Sequence, residues 1–224
     1  MREFIRKSLI VLLISIMSIS IWEVGKKQYA YIQGQIAYKK AQKEMSELSR
    51  HEYVKQKDFD WITINDTAIN YPLVGYDNND YYLTHNYLGE ENISGAIYYD
   101  AEDEPYNGRS TVIFGHSMKD GTMFNNLHFF RKDNNKFRNS ELTITTKNGD
   151  TTYKPLGCTI YNGTDPFYRN IDHMNINDSI SYLDNKCNFF IQPEEINENQ
   201  HIIALVTCDY TVDNGRLVVF YISE

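Results

Sequence analysis

Cysteine is scarce in this chain, and the spacing of the few that occur excludes two common uses of the residue. The 224 residues contain only Cys158, Cys187 and Cys208, so at least one thiol stays free or pairs with another molecule. No two of them have C-x-x-C spacing, and the six histidines do not cluster at metal-ligand spacing. The sequence therefore predicts neither a disulfide framework nor a structural zinc site, and we expect no metal or cofactor.

Basic charge is also scarce, and it is unevenly placed. The formal net charge is -8, yet residues 1–27 hold five basic groups against two acidic ones. The rest of the chain carries 17 basic and 28 acidic groups, a net charge of -11. A body this acidic repels phosphate backbones, and the sequence has no basic patch with interleaved aromatic residues. We therefore expect no nucleic-acid partner.

The N-terminus combines a basic start with an uncharged apolar stretch. Arg2, Arg6 and Lys7 precede SLIVLLISIMSISIW, residues 8–22, a pattern typical of a signal peptide or a membrane anchor. Because no A-x-A-like cleavage site follows, an uncleaved anchor is favoured over a cleaved signal or a buried helix. The predicted segments are a cytoplasmic basic start over 1–7, an anchor over 8–25, a helical stalk over 26–52 and an extracellular domain over 53–224.

From Phe59 onward the chain consists mostly of short apolar runs separated by turn residues. Asn-Gly pairs that begin at positions 148 and 214 lie between strand-like runs and predict tight hairpins. Eight predicted strands indicate a mainly β fold, a closed or nearly closed barrel, with helical insertions at 121–132 and within 165–190. The predicted strands are 61–64, 69–74, 95–100, 110–116, 141–147, 151–162, 201–208 and 216–222.

Three residues at strand ends form the candidate reactive site. Cys208 ends the apolar run IIALVT, where a thiol is able to be half exposed and to ionise, although a lone cysteine there is more often buried. His116 ends TVIFGH in the same way, so both side chains emerge at one rim if the strands are neighbours; a histidine bonded to a loop is the alternative. Arg216 opens the next strand, where a guanidinium is suited to stabilise the oxyanion of an acyl-transfer intermediate. The alternative is a surface arginine paired with Asp209 or Asp213.

These motifs resemble those of the sortases, membrane-anchored cysteine transpeptidases of Gram-positive bacteria. The family signature T-L-x-T-C is matched by Leu205, Thr207 and Cys208, while Ala204 replaces the usual hydroxyl residue. The segments YPLVGYDNNDYYLTHNY and GAIYYD and the long helical insertion before the cysteine strand look most like class B sortases. The resemblance runs from roughly Tyr53 to the C-terminus and implies an eight-stranded sortase-type β-barrel.

The resemblance implies a role for each of the three site residues. Cys208 would attack a threonine carbonyl in a C-terminal sorting signal and form a thioacyl enzyme, His116 would act as acid and base, and Arg216 would stabilise the oxyanion. The implied partners are surface proteins that bear sorting signals, an amine of peptidoglycan or its lipid-linked precursor, and the membrane through the N-terminal anchor. The expected substrate-binding residues are Asn79, Leu83, Tyr168, Thr207 and Asp209.

Other functions remain open at this point. A papain-like hydrolase also uses cysteine and histidine, but its cysteine typically lies at a helix N-terminus early in the chain. A sortase of the housekeeping or pilus-assembly subclass, or a non-catalytic anchored β-barrel that binds wall polymer, would share most of the features above. Fast thiol labelling of Cys208 in the folded protein distinguishes a nucleophile from a buried cysteine.

Overall fold

A computed structural model describes residues 1–75, 77–102 and 104–224. All of the strands in these residues belong to one sheet. Its strands are β1 (Asp60–Ile64), β2 (Asn70–Val74), β3 (Ile97–Tyr99), β4 (Ser110–Phe114), β5 (Leu142–Thr146), β6 (Gly149–Asn162), β7 (Phe189–Phe190), β8 (Ile202–Cys208) and β9 (Gly215–Ser223). The prediction of a mainly β fold with eight principal strands is confirmed.

The sheet closes into a barrel. The strands follow the order β5-β1-β2-β3-β4-β8-β9-β6, and β5 also pairs with β6, which joins the two ends. The 14-residue β6 serves both neighbours because its register shifts between Pro155 and Gly157, where the proline has no N–H to give to the ladder. The two-residue β7 pairs with the middle of β6 outside the closed ring and was not predicted.

Strand β8 is apolar throughout because both of its faces are buried. Ile203 and Leu205 belong to the cluster that fills the barrel interior, whereas Ile202, Ala204 and Val206 face a second cluster on the outside of the sheet. A strand covered on both faces reads as a continuous apolar run rather than an alternating one. Alternate residues of β8 therefore point to the barrel interior and to the outside of the sheet.

Both predicted Asn-Gly hairpins are present. Gly149, at φ 138°, lies in the turn between β5 and β6, and Asn214, at φ 49°, lies in the connection between β8 and β9. Glycine and asparagine adopt positive φ more readily than other residues, so these pairs fix where the chain reverses.

The helical insertions also occur where they were expected. The first contains a 3₁₀ turn (Phe124–Asn126), α3 (Leu127–Lys132) and α4 (Asn134–Arg138); the second contains a 3₁₀ segment (Phe167–His173) and α5 (Ile176–Lys186). The Asn175 side chain caps α5 by accepting a hydrogen bond from the Asp178 backbone N–H. Ile176, Ile180 and Leu183 repeat at helical spacing and are buried in the outer cluster that covers β8.

The predicted anchor and most of the predicted helical stalk form one continuous helix. Helix α1 (Arg2–Glu47) contains both the predicted anchor and most of the predicted stalk, and a capped helix α2 (Arg50–Lys55) follows it. Residues 1–29 are exposed, whereas Tyr38, Ala41 and Met45 are buried against the barrel. Gly34 allows α1 to approach the Asn92 side chain closely, because a Cβ at this position would lie 2.7 Å from Asn92 Oδ1.

Candidate functional site

Cys208 and Arg216 lie directly opposite each other in the antiparallel β8–β9 pair. Directly opposed residues of two strands project from the same face of the sheet, with their Cβ atoms about 5 Å apart. Both residues are half-buried, and Arg216 Nη1 donates a 3.0 Å hydrogen bond to the Gly215 carbonyl. The hairpin therefore brings a thiol and a guanidinium together, as the sequence predicted.

His116 reaches the same place through the parallel pairing of β4 with β8. The last paired residues are Phe114 and Val206, and His116 and Cys208 each follow two residues later, at neighbouring strand ends. Two contacts maintain that register: the Gly115 N–H donates to the Val206 carbonyl at 3.2 Å, and Thr207 Oγ1 donates to the Gly115 carbonyl at 2.7 Å.

Side-chain alternation places all three residues on the outer face of the barrel. Phe114 of β4, Val206 of β8 and Val218 of β9 pack in the outer cluster, and His116, Cys208 and Arg216 stand two residues from them along each strand. We call the end of the barrel formed by these three residues the cysteine pole. Its composition, a thiol, an imidazole and a guanidinium, is suited to acyl transfer.

The hydrogen bond of His116 defines its tautomer. His116 Nε2 lies 2.8 Å from the Leu83 carbonyl oxygen, which only accepts, so Nε2 carries a proton. The ring also packs against the backbone at Gly95, where a Cβ would lie 2.9 Å from His116 Cδ2. Nδ1 is therefore the nitrogen that remains to take up and release a proton.

The predicted groove residues differ in how the structure uses them. Leu83 is 39% exposed beside His116 and presents an apolar side chain to solvent. Asn79 is engaged, since its Nδ2 donates to Asp100 Oδ1 at 2.7 Å and its Oδ1 accepts from the Ala101 N–H at 2.8 Å. Tyr168 is only 4% exposed and packs edge-on against Tyr161. Leu83 thus lies at the surface, whereas the Asn79 side chain is hydrogen-bonded to Asp100 and Ala101 and Tyr168 is buried.

Thr207 and Asp209, which flank the cysteine, are both directed away from the outer face. Thr207 is 3% exposed and its hydroxyl is bonded to Gly115, as described above. Asp209 is 2% exposed, and its carboxylate accepts from the Thr211 N–H at 2.8 Å and lies 3.4 Å from Arg131 Nη1. Burial raises the pKa of Asp209, but the Thr211 hydrogen bonds and the positive charge of Arg131 outweigh it and leave the pKa below its usual value.

Two tyrosines near the sulfur were not predicted. Partial desolvation, followed by the charge of Cys208, raises the pKa of Tyr210 although the residue is 77% exposed. The pKa of the buried Tyr98 is raised first by burial and also by Asp100, Asp80 and Cys208. Tyr210 stands two positions after the cysteine, a signal that sequence reasoning had within reach, whereas Tyr98 reaches the site only through the pairing of β3 with β4.

The other two cysteines are unlike Cys208 in their surroundings. Burial raises the pKa of Cys158 to about 11 and that of Cys187 to about 12. Both therefore stay protonated at neutral pH and are poor nucleophiles. Over the part of the chain that the structure describes, no group of three or more His, Cys, Asp or Glu residues is placed to hold a metal ion.

The residues of the cysteine pole lie inside a recognised domain. A family model described as "Sortase domain" matches residues 62–221, most of the chain. The chain belongs to the sortase family. Sortases are cysteine transpeptidases, so the chain is an enzyme of this type.

The relatives identify the class. Sortase B of Listeria monocytogenes is 28% identical over 239 residues, covering 97% of this chain and 96% of the relative. Clostridium perfringens sortase B superposes with a TM-score of 0.68 at 25% identity, covering 78% of this chain and 97% of that one. Bacillus anthracis sortase B gives 0.69 at 25% identity, with coverages of 87% and 98%. The prediction that the chain is most like class B sortases is confirmed.

Proposed function

We propose that this sortase cleaves a threonine-containing C-terminal sorting signal through a thioacyl intermediate on Cys208 and transfers the protein to a cell-wall amine. The observation that carries the proposal is the direct pairing of Cys208 with Arg216, with His116 following the same register on the neighbouring strand. Its substrates are surface proteins with sorting signals, and its acceptor is an amine of peptidoglycan or of its lipid-linked precursor.

Acylation uses all three residues. Cys208 Sγ, as the thiolate, forms a bond to the threonine carbonyl carbon, and the carbonyl oxygen becomes an oxyanion. Arg216 donates hydrogen bonds to that oxyanion, where its charge matters more than in the uncharged substrate. The C–N bond then breaks, His116 gives a proton to the leaving amine, and a thioester remains on Cys208.

Deacylation reverses these roles with a new amine. The acceptor amine attacks the thioester carbonyl and loses a proton to His116 as the new C–N bond forms. The C–S bond breaks and regenerates the Cys208 thiolate, and the His116 imidazolium balances its negative charge. Nδ1 of His116 makes both transfers, since Nε2 is bonded to the Leu83 carbonyl.

The N-terminal helix supports a membrane-anchored arrangement. An 18-residue window of α1 has a mean hydropathy of 2.0 and is wholly exposed, so by length and composition the helix is able to cross a bilayer. The predicted anchor, residues 8–25, spans about 27 Å as a helix, close to the ~30 Å hydrocarbon core. We propose that the basic start stays in the cytoplasm and that the catalytic domain is outside the cell.

Helix α1 also orients the barrel relative to that anchor. Gln35 Nε2 donates to Asp120 Oδ2 at 2.8 Å, in the segment after His116, and Tyr31 is near enough to Tyr210 to contribute to its raised pKa. From Tyr31, the helix continues toward the anchor with a rise of about 1.5 Å per residue. Residue 25, the end of the predicted anchor, is therefore about 9 Å from Tyr31 along the helix axis.

Mass spectrometry tests the catalytic proposal. The soluble domain, incubated with a panel of threonine-containing sorting peptides, should gain the mass of an acyl fragment on Cys208 and release the amine fragment. The Cys208→Ala variant serves as the control and should gain no mass. Uncut peptides and an unchanged enzyme mass across the panel would refute the proposal.

Labelling of intact cells tests the topology separately. A membrane-impermeant thiol reagent should modify Cys208 of the full chain in intact cells and leave Cys208→Ala unlabelled. Labelling that requires permeabilised cells would show that the catalytic domain is not outside.

A further inference from the structure

His128 connects the side chain of the residue after His116 with the side chain of the residue after Cys208. Its Nε2 lies 3.1 Å from Oγ of Ser117, the residue after His116. Its Nδ1 lies 3.4 Å from Oδ2 of Asp209, the residue after Cys208. One imidazole ring thus bridges the two segments that carry the proposed acid-base group and nucleophile.

The direction of the Ser117–His128 hydrogen bond follows from the other partner of the serine. Asn125 Nδ2 donates to Ser117 Oγ at 3.2 Å, which leaves the Ser117 hydroxyl hydrogen free to point at His128 Nε2. Nε2 of a neutral ring then accepts, and Nδ1 carries the proton on the side of Asp209. The ring therefore fits its surroundings as a neutral imidazole.

The charges around the ring come from two elements. Asp209, at the end of β8, favours the protonated ring, whereas Arg131 and Lys132, on α3 with His128, oppose it. Burial is the largest influence and lowers the pKa of His128, whose side chain is 18% exposed. At neutral pH the ring is therefore uncharged, and Arg131 at 3.4 Å balances the buried Asp209 carboxylate.

We propose that His128 is a positioning residue that holds His116 and Cys208 in register beyond the ends of β4 and β8. The proposal rests on the catalytic roles of those two residues given above. The last β4–β8 residue pair is Phe114 with Val206, and the bonds of Gly115 to Val206 and Thr207 extend the contact to the residues just before His116 and Cys208. The His128 bridge acts on the other side of the reacting groups, between the residues that follow His116 and Cys208.

This role predicts a particular kinetic pattern. A displacement of about 1 Å between reacting groups costs on the order of a hundredfold in rate, so His128→Leu should lower kcat about tenfold to a hundredfold. KM should change by less than about twofold, because His128 does not face the groove and affects orientation rather than substrate contact. His128→Asn should recover part of the loss, since its amide nitrogen lies near the position of Nδ1 and is able to donate to Asp209.

A second variant tests the other half of the bridge. Ser117→Ala should lower kcat by a smaller factor, and the His128→Leu/Ser117→Ala double variant should be no slower than His128→Leu alone. This non-additivity is expected because, in the proposed bridge, Ser117 affects Cys208 through the ring. It also keeps the proposal testable if His128→Leu folds poorly.

Alkylation of Cys208 provides a readout that needs no peptide. If His116 stabilises the Cys208 thiolate, loosening the bridge should raise the midpoint of the alkylation rate against pH by about half a unit or more. His201→Leu is the matched control, because His201 is a half-buried histidine bonded to Thr111 Oγ1 at 2.9 Å near the start of β8, the end remote from Cys208. It should leave the midpoint unchanged in protein shown to be folded by near-UV circular dichroism.

The outcomes separate this inference from the proposed function. A lower kcat and a shifted alkylation midpoint in the His128 variants, without a shift in His201→Leu, support the bridge. Equal effects at both histidines, or Cys208-dependent turnover that His128→Leu and Ser117→Ala leave intact, would overturn it. Peptide cleavage that survives Cys208→Ala would instead overturn the catalytic proposal.

Discussion

Asp100 and Arg169 form a buried ion pair, with 2.5 Å between Asp100 Oδ2 and Arg169 Nη2. The other carboxylate oxygen of Asp100 accepts from Asn79 Nδ2. Asn79 precedes the segment that contains Leu83, and Arg169 belongs to the 3₁₀ segment Phe167–His173 that carries Tyr168. One carboxylate therefore joins the segment before Leu83 to the segment that carries Tyr168. Both the shape of the proposed groove and the local stability should depend on this carboxylate.

Replacing this carboxylate should affect both properties. Asp100→Asn removes one of the charges that balance the Arg169 guanidinium. Because Arg169 is 26% exposed and keeps its contact with Glu102, the loss should be about 1–3 kcal/mol of unfolding free energy. The peptide KM should rise several-fold because the groove walls separate. Urea unfolding and steady-state kinetics measure the two effects.

Glu102 provides the matched control for the same arginine. Its Oε2 lies 3.1 Å from Arg169 Nη1, but its side chain is 70% exposed. Glu102→Gln should cost less than about 1 kcal/mol because exposed ion pairs contribute little. Similar losses in the two variants would contradict the role given to burial at Asp100.

Thiol reactivity should distinguish Cys208 from the other two cysteines. Since the pKa of Cys158 is about 11 and that of Cys187 about 12, fewer than about one in a thousand of either thiol is ionised at pH 7.5. Iodoacetamide should therefore add one label rapidly to the folded protein, and peptide mapping should locate it at Cys208. Rapid labelling of Cys158→Ala/Cys187→Ala and none of Cys208→Ala is the expected control pattern; equal rates at all three positions would refute it.

Arg216→Lys should impair catalysis although it preserves the charge. An ammonium does not reproduce the planar guanidinium fork, and loss of one oxyanion donor typically costs about a hundredfold to a thousandfold in kcat. Single-turnover acylation measures the effect on the step in which the oxyanion forms. Arg50→Lys is the control, because Arg50 Nη1 bonds to the Thr63 hydroxyl on β1 at 3.0 Å, and its turnover should match that of the wild type. Wild-type acylation by Arg216→Lys would remove Arg216 from the mechanism.

His201 should make stability fall as the pH falls below about 6.5. Burial lowers the pKa of His201 from 6.5 to about 4, and the positive charge of Arg109 acts in the same direction. The Gly108 carbonyl and Asp172 favour the protonated ring but do not outweigh burial. Because the unfolded chain binds a proton in this range and the folded protein does not, the stability is complete above pH 6.5 and is lost progressively toward pH 4. Between pH 7.5 and pH 5 this amounts to at most about 2 kcal/mol.

Urea unfolding at several pH values measures this contribution. The difference between the wild type and His201→Gln should isolate the His201 slope, while His173→Gln, at an exposed histidine, should retain the wild-type slope. An unchanged slope in His201→Gln would show that another group is responsible.

The strands were predictable because their signals are local. Apolar runs bounded by turn residues located all eight barrel strands, and β6 and β9 differ from the prediction only by one or two terminal residues. The two-residue β7 was missed, since so short a pairing depends on where β6 passes rather than on its own sequence. Helix α1 was divided into an anchor and a stalk because its composition changes near residue 25, but a change of composition does not interrupt a helix.

The site was predictable where it depends on strand ends and not where it depends on faces. Cys208, His116 and Arg216 are the first polar groups beyond apolar runs, and the structure brings them to one pole. Thr207 and Asp209 are adjacent to the cysteine in sequence but are buried beside it, because alternation turns neighbouring side chains to opposite faces. His128 carried no sequence signal, since its contacts come from a helix folded over the end of the barrel.

The sequence by itself determined the β-rich composition, the acidic body, the apolar N-terminal stretch and the residues on which strands end. These properties depend on neighbouring residues and on short-range turn chemistry. Only the tertiary structure decided that β4 lies parallel to β8, which brings the strand ends that carry His116 and Cys208 side by side, and that His128 and Asp100 tie the surrounding segments together. Pairing between distant segments is selected by the burial of both faces of the sheet and by barrel closure, which involve the whole chain at once.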